Sequence, residues 1–281
     1  MGALLVSNCE LNEMSLQNHL LEITNSSGFP LQIAIENVVN KTAKVHGWLI
    51  RYSEHGWSSP EEQQSGFIDL VLQDSNGTFV LVIECKRVRD AHWVFLRSDG
   101  LEKQRRHCKA WVSRYVSGSM KYYGWHDLCA EPSCVESSFC AVRGQSTNGS
   151  RPMLERTASE VVSSTEALAR EEKDYRPEGQ STYRFYFSVI VTTAELFVAR
   201  FTPDNISLAD GSLSDADFQS VPYVRFRKQM SLHKNHLTPE DYANRNLISE
   251  RESTVFVVNA QHIVDFLSKF EVDESAERNF R

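Results

Sequence analysis

Two apolar runs joined by a tight turn constrain this chain more than any other feature. Phe67-Ile68-Asp69-Leu70-Val71-Leu72 and Phe79-Val80-Leu81-Val82-Ile83-Glu84-Cys85-Lys86 flank Asp74-Ser75-Asn76-Gly77. Asn-Gly favours a tight hairpin because both residues accept positive φ. Five successive apolar residues before Glu84 predict a central strand covered on both faces. A sheet covered in this way, in a chain of 281 residues, predicts a single α/β domain spanning 1–281.

Both runs carry charge where packing alone would not place it. Asp69 interrupts the first strand. Glu84 and Lys86 close the second on one face, while Cys85 turns the other way. The hairpin makes the strands neighbours, so the two carboxylates are expected to meet at one end of the sheet with Lys86 beside them. Burying three charges costs several kcal/mol unless they satisfy one another or bind an ion. Two carboxylates and a backbone carbonyl form a hard oxygen site suited to Mg²⁺, with Mn²⁺ as a substitute. An ion there lowers the pKa of its bound water, and Lys86 is placed to orient that water or to stabilise developing charge. The plainer alternative is a partly exposed Glu–Lys pair at a strand end.

The surrounding pattern predicts a helix over 30–41. Pro30 suits its first turn, and Leu31, Ile35, Val38 and Val39 form a stripe with Glu36 toward one edge. Residues 48–52 read as a strand, 53–65 as a polar loop and 100–116 as a helix. Residues 153–173 show a second helical stripe, preceded by 117–150 with little periodicity; 117–182 is therefore expected to be an inserted helical and loop segment. Strands are expected at 184–192, 195–201, 223–226 and 254–258. Thr238-Pro239 signals a helix start and 261–270 a final helix, making 220–270 a C-terminal elaboration. The tail from Glu271 is expected to fray.

Ile68-Asp69, fourteen residues, then Glu84-Cys85-Lys86, after a helix bearing Glu36, resembles the PD-(D/E)xK nuclease superfamily. Ile68 stands at the namesake proline. The resemblance implies a restriction-endonuclease-like mixed β-sheet flanked by helices and metal-dependent endonucleolytic cleavage of DNA, with restriction or anti-phage defence as the setting. Asp69 and Glu84 would be metal ligands, Lys86 the water-orienting group, and Glu36 the helix-borne acid many members add. Arg87, Gln104 and Arg105 would meet the substrate. One branch of the superfamily carries Gln-x3-Tyr on the next helix; here Gln104 is followed by Cys108 at that spacing.

Charge bears on the same expectation. The net charge of −7 would repel phosphates if spread evenly. From Lys86 to Lys121, however, ten Lys/Arg face three Asp/Glu, and 222–236 carries four Lys/Arg and no acid. This predicts one basic face and an acidic back. A double-strand cut needs two centres, so a homodimer or a larger complex is expected. No Gly-x4-Gly-Lys-Ser/Thr loop appears, so any ATPase, helicase or sensor function would come from a partner. A nuclease-like module that only binds nucleic acid, and an RNase, remain as rivals.

No apolar run reaches membrane-spanning length, and the start lacks a charged region ahead of its apolar patch, so a cytoplasmic protein is expected. Six cysteines are too sparse for a disulfide scaffold. His126, Cys129, Cys134 and Cys140 carry the ligand types of a zinc site without a Cys-x2-Cys pair; free thiols are the alternative.

Overall fold

The structure is a computed structural model that describes residues 16–59, 63–88, 92–98, 105–116, 119–142, 152–172, 182–230, 252–274 and 278. It is a mixed α/β fold with one large mixed sheet flanked by helices. A helical segment over 16–26 (α1) precedes α2 (Phe29–His46). The α2 helix takes Pro30 in its first turn and buries Leu31, Ile35 and Val39. It ends at Gly47, whose φ of 77° lets its N–H reach the Ala43 carbonyl at 2.7 Å.

Three antiparallel strands follow: β1 (Trp48–Ser59), β2 (Gln64–Asp74) and β3 (Phe79–Lys86). The β2–β3 turn is closed by Gly77 N–H on the Asp74 carbonyl at 3.0 Å, with Gly77 at φ 67°. The Asp74 carboxylate also accepts the N–H groups of Asn76 and Phe79. The expected loop at 53–65 is mostly strand. Its polar residues lie on an edge strand, where hydrogen bonds to β2 substitute for an apolar pattern.

After β3 the chain enters β-rich structure: β4 (His92–Ser98), β5 (Arg105–Val116), β6 (Ser119–Cys134), β7 (Glu136–Ser137) and β8 (Cys140–Val142). The helix expected over 100–116 is thus wrong, since 105–116 is strand β5. Cys108, Ala110 and Val112 fill one buried face while Trp111 fills the other, so apolar residues of both parities imitated a helical stripe. Aromatic and β-branched residues suit such a two-sided strand, and pairing with β6 decides the outcome.

Next comes α3 (Met153–Glu171), close to its expected bounds, and then β9 (Thr182–Thr192), which runs parallel to β3. Within 117–182, expected as an inserted helical and loop segment, the described residues are largely strand and helix packed into the sheets. Strand β6 is built into the sheet system through β5, and α3 is the helix that covers one sheet face. The chain continues through β10 (Glu195–Phe201), β11 (Asp217–Val221), β12 (Tyr223–Gln229), β13 (Glu252–Asn259), α4 (Ile263–Lys269) and β14 (Glu271–Val272). The last pairs with β6 and buries Val272, so the chain does not fray at Glu271: an apolar residue in a charged tail finds a place in the core. The helix start at Thr238 and Gln104 lie outside the described residues.

The large sheet has the order β1-β2-β3-β9-β13-β12-β7, with β5 joined to β9 and β6 to β5 and β14. A second sheet runs β11-β10-β4-β8, with β10 parallel to β4. Two apolar cores lie on opposite faces of the large sheet. One holds α2 and α4 against Leu70, Leu72, Leu81 and Ile83. The other holds α3 against Val71, Val80 and Val82 and takes in Trp93, Phe95, Leu196 and Val198 of the small sheet. No described helix is long and apolar enough to cross a membrane.

Candidate functional site

The site lies where β2 and β3 stop pairing. Leu70 and Ile83 are the last registered pair, and one step beyond are Asp69 and Glu84. Asp69 leaves the ladder to serve as an acceptor: its Oδ2 takes the Cys85 N–H at 2.6 Å. Its backbone carbonyl accepts from Gln32 Nε2 of α2 at 3.1 Å. The residue is thus held from both sides, by strand β3 and by helix α2.

Glu84 and Lys86 share strand parity with Val80 and Val82, which places them on the α3-covered face. The exit from β3 is tied down beside them. Thr193 N–H donates to the Lys86 carbonyl at 3.3 Å, and the Thr193 hydroxyl both accepts from Val88 N–H and donates to its carbonyl, each at 2.9 Å. Lys86 is therefore fixed at its backbone by the turn that follows β9.

Electrostatics marks the pair. Burial pushes the Glu84 carboxyl up to about 7. The negative charge of Asp69 adds to this, Lys86 pulls the other way, and Glu160 and Glu54 add smaller upward pushes. Asp69 is also raised, first by burial; the Cys85 N–H opposes this, Glu54 adds to it and Lys86 opposes it. Two half-buried acids held at cost beside one ammonium are short of positive charge.

Glu54 and Glu160 were not anticipated. Ser53 pairs with Leu70 and His55 with Ile68, which sets Glu54 opposite Asp69 across β1–β2. Glu54 has a φ of 54°, in the left-handed region that a non-glycine residue rarely occupies. Glu160 comes from α3 and, like Glu54, is solvent-exposed. Only one local signal preceded them: Glu160 is a charged residue beside the apolar stripe of its helix.

The other expected residues are placed as follows. Glu36 lies half-buried on α2, the helix that covers the opposite sheet face, and the charges acting on Asp69 and Glu84 come from Glu54, Glu160 and Lys86. Arg87 follows Lys86 directly and is half-buried. Arg105 opens β5, its backbone paired with Cys134. The expected basic face loses much of its charge to the interior. Arg97, Lys109, Arg225 and Arg227 are buried, and Lys228 is paired with Glu155. Arg225, with no exposed surface, donates to the carbonyls of His107, Ala130 and Pro132. Arg227 bridges Asp127 at 3.0 Å and Glu252 at 2.7 Å.

Among the described residues no three His, Cys, Asp or Glu side chains are gathered closely enough to hold one metal ion. His126, Cys129, Cys134 and Cys140 therefore form no zinc cluster. Cys134 is buried in the core beneath α2 and α4, while Cys140 sits on the small sheet. At the carboxylate site the donor set is Asp69 and Glu84. This suits Mg²⁺, which commonly uses one or two protein carboxylates and keeps several waters. Comparison of the chain with protein-family models, curated proteins and solved structures finds no match.

Proposed function

We propose that this protein is a Mg²⁺-dependent phosphodiester hydrolase acting on DNA, on a restriction-endonuclease-like core. The observation that carries this reading is the pairing of two desolvated carboxylates, Asp69 and Glu84, with Lys86 on the same strand face. Charges so costly to bury are readily understood as a site waiting for a divalent cation and a phosphate. The order of elements adds support. A helix, three antiparallel strands, a helix and a further strand (α2, β1–β3, α3, β9) is the core order the resemblance implies, and here the further strand runs parallel to β3. In this alignment α3 takes the place first given to 100–116, and 87–152 becomes the insertion.

Asp69 and Glu84 would hold the cation, which would supply Lewis acidity toward a phosphoryl oxygen and its bound water. Asp69 is kept in place for this by the Cys85 N–H and by Gln32. Lys86 would place its ammonium against the attacking water or the developing phosphorane charge, from a backbone fixed by Thr193. Glu54 and Glu160 would add negative charge at the rim and favour retention of the cation. A homodimer or a larger complex would supply the second centre for a double-strand cut, with cytoplasmic defence as the setting.

A second reading is a module that binds nucleic acid without cutting it. It is favoured by the donor set, which among the described residues stops at two carboxylates. Incubation of purified protein with plasmid, linear DNA and RNA, with Mg²⁺, Mn²⁺ or EDTA, separates the two. Metal-dependent DNA cleavage lost in Asp69→Ala and Lys86→Ala is the expected result. Binding without cleavage in any metal would favour the silent module, and cleavage of RNA alone would move the substrate class.

A further inference from the structure

A second pair of metal-ligating side chains lies away from the carboxylates. His107 of β5 and Cys129 of β6 are directly opposed in the antiparallel ladder, and His107 Nδ1 stands 3.6 Å from Cys129 Sγ. We propose that this pair is a binding site for a thiophilic divalent cation of the Zn²⁺ class, with water in the remaining positions.

The separation is informative. With Zn–S near 2.3 Å and Zn–N near 2.0–2.1 Å, a tetrahedral ion holds its sulfur and nitrogen about 3.6 Å apart. A linear two-coordinate ion with the same bond lengths would need about 4.3 Å. The separation equals that of a bent, tetrahedral pair of ligands, and in the ion-free chain the same distance serves as a thiol–imidazole contact. Its backbone is held by the ladder on one side, while a register shift separates it from the Arg105–Cys134 pair on the other. Cys108 pairs with Leu128 in the next register step, and the Cys129 carbonyl accepts the Asp273 N–H at 2.9 Å. The pair is also reachable, since His107 is exposed and Cys129 half-exposed. By contrast, Cys85, Cys108 and Cys134 are buried, and burial pushes the Cys108 and Cys134 thiols up to about 12 and about 11. Arg225 donates to the His107 carbonyl at 2.9 Å, which sets one buried cation at the backbone of the pair, while Lys109 and Arg227 on the flanking positions are ion-paired with Asp127 and Glu252. Binding exchanges the Cys129 thiol proton for the metal: the S–H bond breaks, the proton goes to solvent, and both sulfur electrons enter the S–metal bond. Among the described residues no third His, Cys, Asp or Glu joins the pair.

Titrating the reduced, metal-free full chain with Co²⁺ tests this. One equivalent should give a thiolate-to-cobalt charge-transfer band that Zn²⁺ abolishes. Cys129→Ser should remove the band. His107→Gln should weaken Co²⁺ binding at least about tenfold, with circular dichroism confirming the fold. Cys140→Ser and Asp69→Ala should leave the band intact, the latter because a carboxylate site gives no thiolate band. Absence of the band in the wild type, its persistence in Cys129→Ser, or unchanged affinity in His107→Gln would overturn the proposal.

Discussion

The Asp69 carboxylate accepts the backbone N–H of Cys85 at 2.6 Å, so the acid of one strand is fixed to the residue between Glu84 and Lys86 on the next. This bond aligns the three charges and partly offsets the burial cost of Asp69. Asp69→Asn should keep the side-chain shape while removing the charge. Hydrolysis should fall at least about 10²-fold in Asp69→Asn and in Lys86→Ala, as commonly follows removal of a charge-stabilising group. Initial rates on supercoiled plasmid at saturating Mg²⁺ measure this.

Stability of the metal-free protein should depend on pH through Glu84. Its folded value of about 7 lies above the ordinary 4.5. The folded state therefore binds the proton more tightly, and the group's contribution is fully present below pH 4.5 and lost as pH rises through 7. Asp69, raised in the same sense, adds to the loss. Glu84→Gln should flatten the slope and stabilise the metal-free protein at pH 8 by up to about 3 kcal/mol. Urea melts at pH 5 and pH 8 in EDTA provide the comparison. Adding Mg²⁺ at pH 8 should raise the melting temperature of the wild type but not of Asp69→Ala.

Glu54 should show opposed effects. Its left-handed backbone at φ 54° costs about 1–2 kcal/mol in a non-glycine residue. Glu54→Gly should therefore stabilise the metal-free chain by about 1 kcal/mol, while loss of the rim charge weakens Mg²⁺ binding several-fold. Thermal melts and Mg²⁺ titration of the same variant separate the two. A stabilised variant with unchanged Mg²⁺ affinity would remove Glu54 from the site.

Glu172, at the end of α3, is 3 % exposed and meets Arg51 at 3.0 Å, Arg184 at 2.8 Å and the Tyr186 hydroxyl at 2.6 Å. Removing the acid leaves two poorly hydrated guanidinium groups facing one another. Glu172→Ala should cost about 3–5 kcal/mol, read from denaturant midpoints, whereas Glu171→Ala, beside it and exposed, should cost under about 1 kcal/mol.

Asp69, Glu84 and Lys86 were legible because a hairpin is local: Asn76-Gly77 sets the register, and parity sets the face. Glu54 was not, because its position depends on β1 continuing through a polar stretch and on a register shift between Ile50 and Tyr52. Glu160 was hidden for another reason. The helix carrying it was expected to belong to an insertion, whereas α3 is the crossover between parallel β3 and β9. The strand at 105–116 could not be told from a helix by periodicity, since both its faces are buried. Charge counting along the chain could not show that Arg225 and Lys109 point inward.

Parallel β3 and β9 hand over to parallel β4 and β10, so the same two lengths of chain run side by side through both sheets. Lys86 and Thr193 stand at the fold line between them, joined by the Thr193 N–H to Lys86 carbonyl bond. On the β9 side only Thr193 and Ala194 separate the two sheets, so the lysine backbone is anchored to the very turn that carries the chain from one sheet to the other, and the carboxylates sit at that seam.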